Sequence, residues 1–192
     1  MLNHLRPAAS LLVLLSVLTG IIYPFSVTGL AQLCCSRLAN GSIIYNSQGQ
    51  AIASGLIGQA FSAPDYFWGR PSATLPYPYN GAASSGSNLG PTNPELLKAV
   101  AQRIKNLKAA DPDNQRPIPV DLVTASASGL DPHISLAAAN YQLARIAKVR
   151  HIKVEQLQEL VNATLENRQW WVLGEPRVNV IKLNLALETF RP

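Results

Sequence analysis

Residues Pro7 to Ser36 form a run of 30 positions without a formal charge, preceded by one basic side chain, Arg6. Wound as a helix, such a run is roughly 45 Å long, whereas a bilayer core of about 30 Å requires only ~20 apolar residues. Within it, Leu11, Leu14, Leu15, Leu18, Ile21, Ile22 and Phe25 supply the lipid-soluble side chains of a membrane anchor. A helix satisfies its own backbone hydrogen bonds in lipid. Pro24 is expected to kink or thin its outer turn.

A cleaved signal peptide is the competing reading, because Arg6 resembles a basic leader and Gly29-Leu30-Ala31 loosely imitates a cleavage site. The uncharged run outlasts the apolar segment of a typical signal peptide, which favours a permanent anchor. A lipoprotein fits less well, since Leu33 stands before Cys34 where a small residue is expected. The positive-inside tendency, resting on Arg6 and the terminal amine, places the N-terminus in the cytoplasm. The expected organisation is a short cytoplasmic tail at 1–7, a transmembrane helix at 8–33 and one extracytoplasmic domain at 34–192.

Residues 37–192 hold 15 basic and 11 acidic side chains. The excess is mild, and no basic cluster or aromatic ladder accompanies it, which argues against nucleic-acid binding. Cys34 and Cys35 are adjacent and poorly placed for a mutual disulfide, so the domain has no internal staple. From Leu38 to Pro94 only Asp65 and Arg70 are charged. So long an uncharged stretch is either a surface covered by something else or a loop-rich segment packed on its own domain.

Ser42–Tyr45 and Ala51–Ile57 are expected to pair as a hairpin. Residues 62–94 carry six prolines and four glycines, which break both regular periods and predict a fixed irregular loop. Thr92-Asn93-Pro94-Glu95 opens a helix with apolar face Leu96, Val100, Ile104 and Leu107, stopped at Asp111-Pro112. Lys98, Arg103, Lys105 and Lys108 are expected to face outward. Pro119–Ser128 alternates like a strand. Ser135 caps a helix with core residues Leu136, Ala139, Leu143 and Ile146 beside Arg145 and Lys148. A further helix is expected over Val154–Leu165, opening at Lys153 where a serine would cap better, so that this end should fray, and a late strand with a bulge at Val180-Ile181 over Val178–Leu187. Helices on a small sheet make an α+β domain.

Chemistry is sparse. His133 and His151 lack ligand spacing, and neither a zinc motif nor a phosphate-binding loop occurs. Ser126, Ser128, Asp131 and His133 are the one cluster that suggests a nucleophile, base and acid, and the alternative function is a membrane-anchored envelope binding protein or hydrolase. Without a nucleophile elbow, that cluster reads better as turn and cap residues.

Several separated blocks resemble the C subunit of the bacterial Kdp potassium-transporting ATPase. They are Arg6-Pro7-Ala8, Ser54 to Gln59 with Phe61, Phe67-x-Gly69-Arg70-Pro71-Ser72-Ala73, Pro78-Tyr79-Asn80, Ser84 to Gly90, Asp121 to Asp131, Gly174 to Val180 and Leu183 to Leu187. The resemblance implies a single-span, non-catalytic accessory subunit of a high-affinity, ATP-driven potassium importer in the inner membrane. Its partners would be a channel-like potassium-translocating subunit and a P-type ATPase subunit. ATP, magnesium and potassium would be handled by those partners, with no cofactor or metal bound by this chain alone.

The family is described as raising the ATPase subunit's affinity for ATP, with a glutamine involved; here the candidate is Gln59. The candidate docking residues are Gln59, Phe67, Gly69, Arg70, Pro71, Ser72, Tyr79, Asn80, Ser85, Gly86, Ser87 and Asn88. Under the expected topology Gln59 lies outside the cytoplasm, so its effect on ATP use would pass through the partners.

Overall fold

A computed structural model describes residues 2–190; Met1 of the expected tail, together with Arg191 and Pro192 at the domain's end, lies outside the described residues. The chain divides into two units, Met1–Ile43 and Ile44–Pro192.

The first unit is helical: α1 (Leu2–Val17), a wider π-type turn (Leu18–Ile22) and α2 (Tyr23–Ala39), which is kinked at Cys35 (φ −143°, ψ 42°). The wide turn directly precedes Pro24, the second residue of α2. Proline cannot donate to the carbonyl four residues back and its ring crowds that group, so local widening is the expected response. The run includes 8–33 and extends beyond both of its ends. Among the described residues, His4–Ala39 is long and apolar enough to cross a membrane, and none of its apolar window is buried. The anchor residues Leu11, Leu14, Leu15, Leu18, Ile21, Ile22 and Phe25 are all exposed.

The second unit is α+β. Strands β1 (Ile43–Tyr45) and β2 (Ala51–Ser54) form the expected hairpin, with Asn46 Oδ1 accepting the amides of Gln48 and Gln50 in its turn. The second strand is shorter than expected because Gly55 to Ile57 turn away. After the loop come α3 (Pro94–Ala110), β3 (His133–Ser135), α4 (Leu136–Arg150), α5 (Val154–Ala163), β4 (Leu165–Glu166), β5 (Arg177–Asn179) and α6 (Val180–Thr189). The three-stranded sheet runs β3-β5-β4, antiparallel, with His133 opposite Asn179 and Leu165 opposite Val178.

Local chemistry starts these helices where the side chains allow. Asn93 Oδ1 accepts from Glu95 N at 2.9 Å, and Ser135 Oγ accepts from Ala138 N at 3.0 Å. Lys153 gives α5 no such cap, but its own amide donates to Gln156 Oε1 at 3.4 Å. The core joins Phe67 from the loop to Ile134, Ile146, Leu157, Val161, Val178, Leu183 and Leu187.

One expected strand is absent and another is cut short. Val120–Leu122 is a single 3₁₀ turn, and residues 123–132 are irregular. Here the hydroxyls bond backbone instead of lining a face: Thr124 Oγ1 donates to Val120 O, Ser126 Oγ accepts from Gly129 N and Ser128 Oγ accepts from Leu130 N.

The late strand stops at Asn179, whose side chain accepts from Lys182 N at 3.1 Å and caps α6. Buried Val180, Leu183, Asn184 and Leu187 follow the helical period, so the apparent bulge at Val180-Ile181 is a helix start. A third correction concerns Arg103, which turns inward to donate to Val123 O at 2.7 Å. Lys98, Lys105 and Lys108 remain exposed.

Candidate functional site

The charge-poor loop of residues 55–93 is held by two sets of side chains. On α4 and α6, two buried carboxamides grip its main chain. Phe67 N donates to Asn184 Oδ1 at 2.9 Å while Asn184 Nδ2 donates to Phe67 O at 3.0 Å. The adjacent Trp68 is read the same way by Gln142, at 2.8 and 3.1 Å. Each carboxamide presents one acceptor and one donor, as a neighbouring strand would. The loop satisfies its buried amides without belonging to a sheet.

Arg145, which the sequence places beside the core stripe of α4, is 4 % exposed. Its Nη2 donates to Tyr66 O and Gln142 Oε1, its Nη1 donates to Pro64 O, and its guanidinium lies 4.3 Å over the Trp68 ring. Burial pushes its pKa down to about 10, so it stays charged at neutral pH. Arg150 donates to Asp65 O at 2.7 Å and pairs with Glu188, which also accepts from the Tyr66 hydroxyl at 2.5 Å. The hydrogen bond from Arg150 holds Glu188 below the usual carboxylate range.

The second set ties the loop to residues 125–131. Ser72 Oγ donates to Gly129 O at 2.7 Å and accepts from Tyr79 N at 2.9 Å. Thr74 Oγ1 donates to Tyr77 O and accepts from Asn80 N, and Asn80 Nδ2 donates to Leu75 O. The Tyr79 hydroxyl donates to Arg70 O at 2.5 Å, and burial pushes its pKa up to about 12. Its ring lies against two glycines. A Cβ on Gly58 would meet Tyr79 Cε1 at 2.3 Å, and one on Gly69 would meet the hydroxyl at 2.8 Å.

Arg70 reaches Asp131 Oδ2 at 3.1 Å and Ala125 O at 3.3 Å. Burial works against ionisation of Asp131, but hydrogen bonds from His133 and Arg70 outweigh it and keep its pKa low. His133 lies between Asp131 and Glu166, 3.3 and 3.4 Å from their oxygens. Glu166 is likewise lowered: burial opposes its ionisation, and hydrogen bonds from Lys182 and Arg177 prevail. The hydroxyls of Ser126 and Ser128 are taken up by turn amides, which favours the turn-and-cap reading of this cluster over a nucleophile.

The docking candidates therefore fall into three groups. Phe67 is completely buried, so its side chain is unavailable to a partner. Gly69, Arg70, Pro71, Ser72, Tyr79 and Asn80 are half-buried or buried and shape the loop. Gln59, Ser85, Ser87 and Asn88 are exposed, with half-buried Gly86 between them held close to Ala127. Gln59 Nε2 donates to Ile52 O at 2.9 Å.

Exposed beside them is Leu75-Pro76-Tyr77-Pro78, with Leu75 76 % and Tyr77 58 % accessible. These four residues are absent from the sequence-derived candidates, although a leucine and a tyrosine between prolines in an uncharged stretch were the available signal. Both charges of the stretch, Asp65 and Arg70, have partners within the chain, so its displayed face is neutral. A cleft of about 510 Å³ opens beside it, lined by Phe61, Trp68, Arg70, Tyr79 and Arg103 among others. Among the described residues no cluster of metal-ligating side chains occurs.

The sequence matches the family profile described as "K+-transporting ATPase, c chain" over residues 5–189. The chain belongs to the KdpC family. Relatives described as potassium-transporting ATPase KdpC subunits include that of Dechloromonas aromatica, 58 % identical over 96 % of both chains. Another, from Herpetosiphon aurantiacus, is 59 % identical over all of this chain and 98 % of its own. That of Serratia proteamaculans is 52 % identical over 99 % of this chain and all of its own. KdpC membership and the long apolar helix together associate the chain with a membrane.

Proposed function

We propose that this chain is the accessory subunit of a potassium-transporting ATPase, anchored by its one apolar helix and docked through the neutral face of the 55–93 loop. The observation that carries the docking assignment is the exposure of Leu75, Tyr77, Ser85, Ser87 and Asn88 on a segment whose two charges are internally paired. Interface centres are depleted of charge and enriched in aromatic residues. A loop fixed in advance loses little conformational entropy on docking. The chain supplies no reacting group; ATP, magnesium and potassium belong to its partners, a channel-like translocating subunit and a P-type ATPase subunit.

The N-terminus is cytoplasmic and the second unit lies outside. Gln59 then never meets ATP, and any rise in the ATPase subunit's affinity for ATP arises because docking favours one conformation of the partners. Two experiments test this reading. Leu75→Asp with Tyr77→Asp should lower recovery of the partner subunits on co-purification by about tenfold or more, since each 1.4 kcal/mol is a factor of ten. Undiminished recovery removes the loop from the interface. Gln59→Cys in a Cys34→Ser, Cys35→Ser background should react with an impermeant thiol reagent in intact cells. Protection until lysis, in the absence of partners, overturns the topology.

A further inference from the structure

Between β4 and β5 the chain makes a tight projection at residues 168–175. Gln169 N donates to Leu173 O and Leu173 N donates to Gln169 O, both at 2.9 Å, closing a narrow neck. Arg168 and Glu175 pair across its base at 2.6 Å. At the tip stand Trp170, Trp171, Val172 and Leu173, exposed by 82, 88, 74 and 53 %.

Both tryptophans have positive φ, +49° and +68°. Turns of that kind favour Asn-Gly, since a side chain in the left-handed region is strained. Neither turn propensity nor the core accounts for two indoles here. Their placement makes sense for a surface that receives them.

Resting on the membrane-anchored reading above, we infer that this tip inserts into the headgroup and upper acyl region of a zwitterionic phospholipid bilayer. Four observations select lipid over protein. Two exposed indoles at up to about 250 Å² each, with a valine and a leucine, come to roughly 600 Å². That is short of the ~800 Å² each partner gives to a standard protein interface. The anchor already holds the domain at a membrane, so a small contact suffices once it is intramolecular.

Residues 169–174 carry no charge, and the flanking pair neutralises itself, so insertion strips no ion of water. Finally, an indole combines an apolar body with one N–H donor, the combination that enriches tryptophan at membrane interfaces.

The test uses the full chain reconstituted in phosphatidylcholine vesicles brominated near the headgroup end of the acyl chains. The chain has three tryptophans and none in residues 1–43, so emission reports only Trp68 and the tip. Bromolipid should remove about half of the emission or more, because two of the three indoles sit at the interface. The loss should not change with salt, since no charge pairing drives it. Trp170→Ser with Trp171→Ser should abolish the quenching.

Quenching of the native chain no greater than that of the double variant overturns the inference. So does quenching that disappears, with a blue shift, when the partner subunits are co-reconstituted, which would make the tip a protein contact. Resistance of both proteins to alkaline extraction is scored separately. Its loss would refute the anchor rather than the tip.

Discussion

Replacing Asn184 by leucine removes the clasp on Phe67 while keeping the branched outline of the side chain. Asn184 is 2 % exposed, and its carboxamide takes both the N–H and the C=O of Phe67. The variant strands two buried backbone groups, each costing about 1–3 kcal/mol when left unpaired. Leucine regains part of this through apolar burial, so the expected net loss is about 3 kcal/mol. With a urea dependence of ~2 kcal/mol/M, the midpoint should fall by about 1.5 M.

Urea titration of the full chain in detergent, followed by tryptophan emission, measures this directly, because Trp68 is the next residue. Gln142→Leu should behave similarly. The double variant should cost less than the sum, since one freed segment loses both grips together. A midpoint shift below about 0.5 M for Asn184→Leu, or strict additivity, would refute the view that the two carboxamides form one clasp.

Gly58→Ala forces a Cβ into the Tyr79 ring and should destabilise by about 1–3 kcal/mol, with most of the loss recovered in a Tyr79→Ala background. Asp131, Glu166 and Glu188 all have lowered pKa values, so the unfolded chain binds more protons than the folded one at acid pH. Their stabilisation is complete above the unfolded values of about 3.9 and 4.3 and is lost as pH falls through the lower folded values. Urea midpoints should be level near neutrality and fall below about pH 4; a midpoint that rises on acidification contradicts the assignment. Arg70→Ala removes one of the hydrogen bonds that lower Asp131, brings its folded pKa closer to the unfolded value and should make that acid loss smaller.

The capped helices were legible in the sequence because Asn93 and Ser135 stand where their side chains meet free amides, and each is followed by an apolar stripe. The failures share a cause. Over 119–128 and 178–187, apolar and polar residues alternate, and alternation says nothing about whether a partner strand exists or whether a polar residue bonds backbone. Asn179 falls inside the expected strand, yet its side chain caps α6. Arg145, which the sequence places beside the core stripe of α4, and Gln142 are buried because the loop they hold comes from 74 to 81 residues earlier. The tryptophan tip is not legible in the sequence, because the exposure of two indoles is a fact of tertiary structure alone.

The clasp on residues 67 and 68 takes hold of peptide groups, which are the same whatever the amino acid. Anchorage is thereby uncoupled from display: the outward stretches at 75–78 and 81–88 can drift, or be transplanted from a relative, while the mount that carries them stays put. A family that must match a diverging partner can re-cut the key and keep the bow.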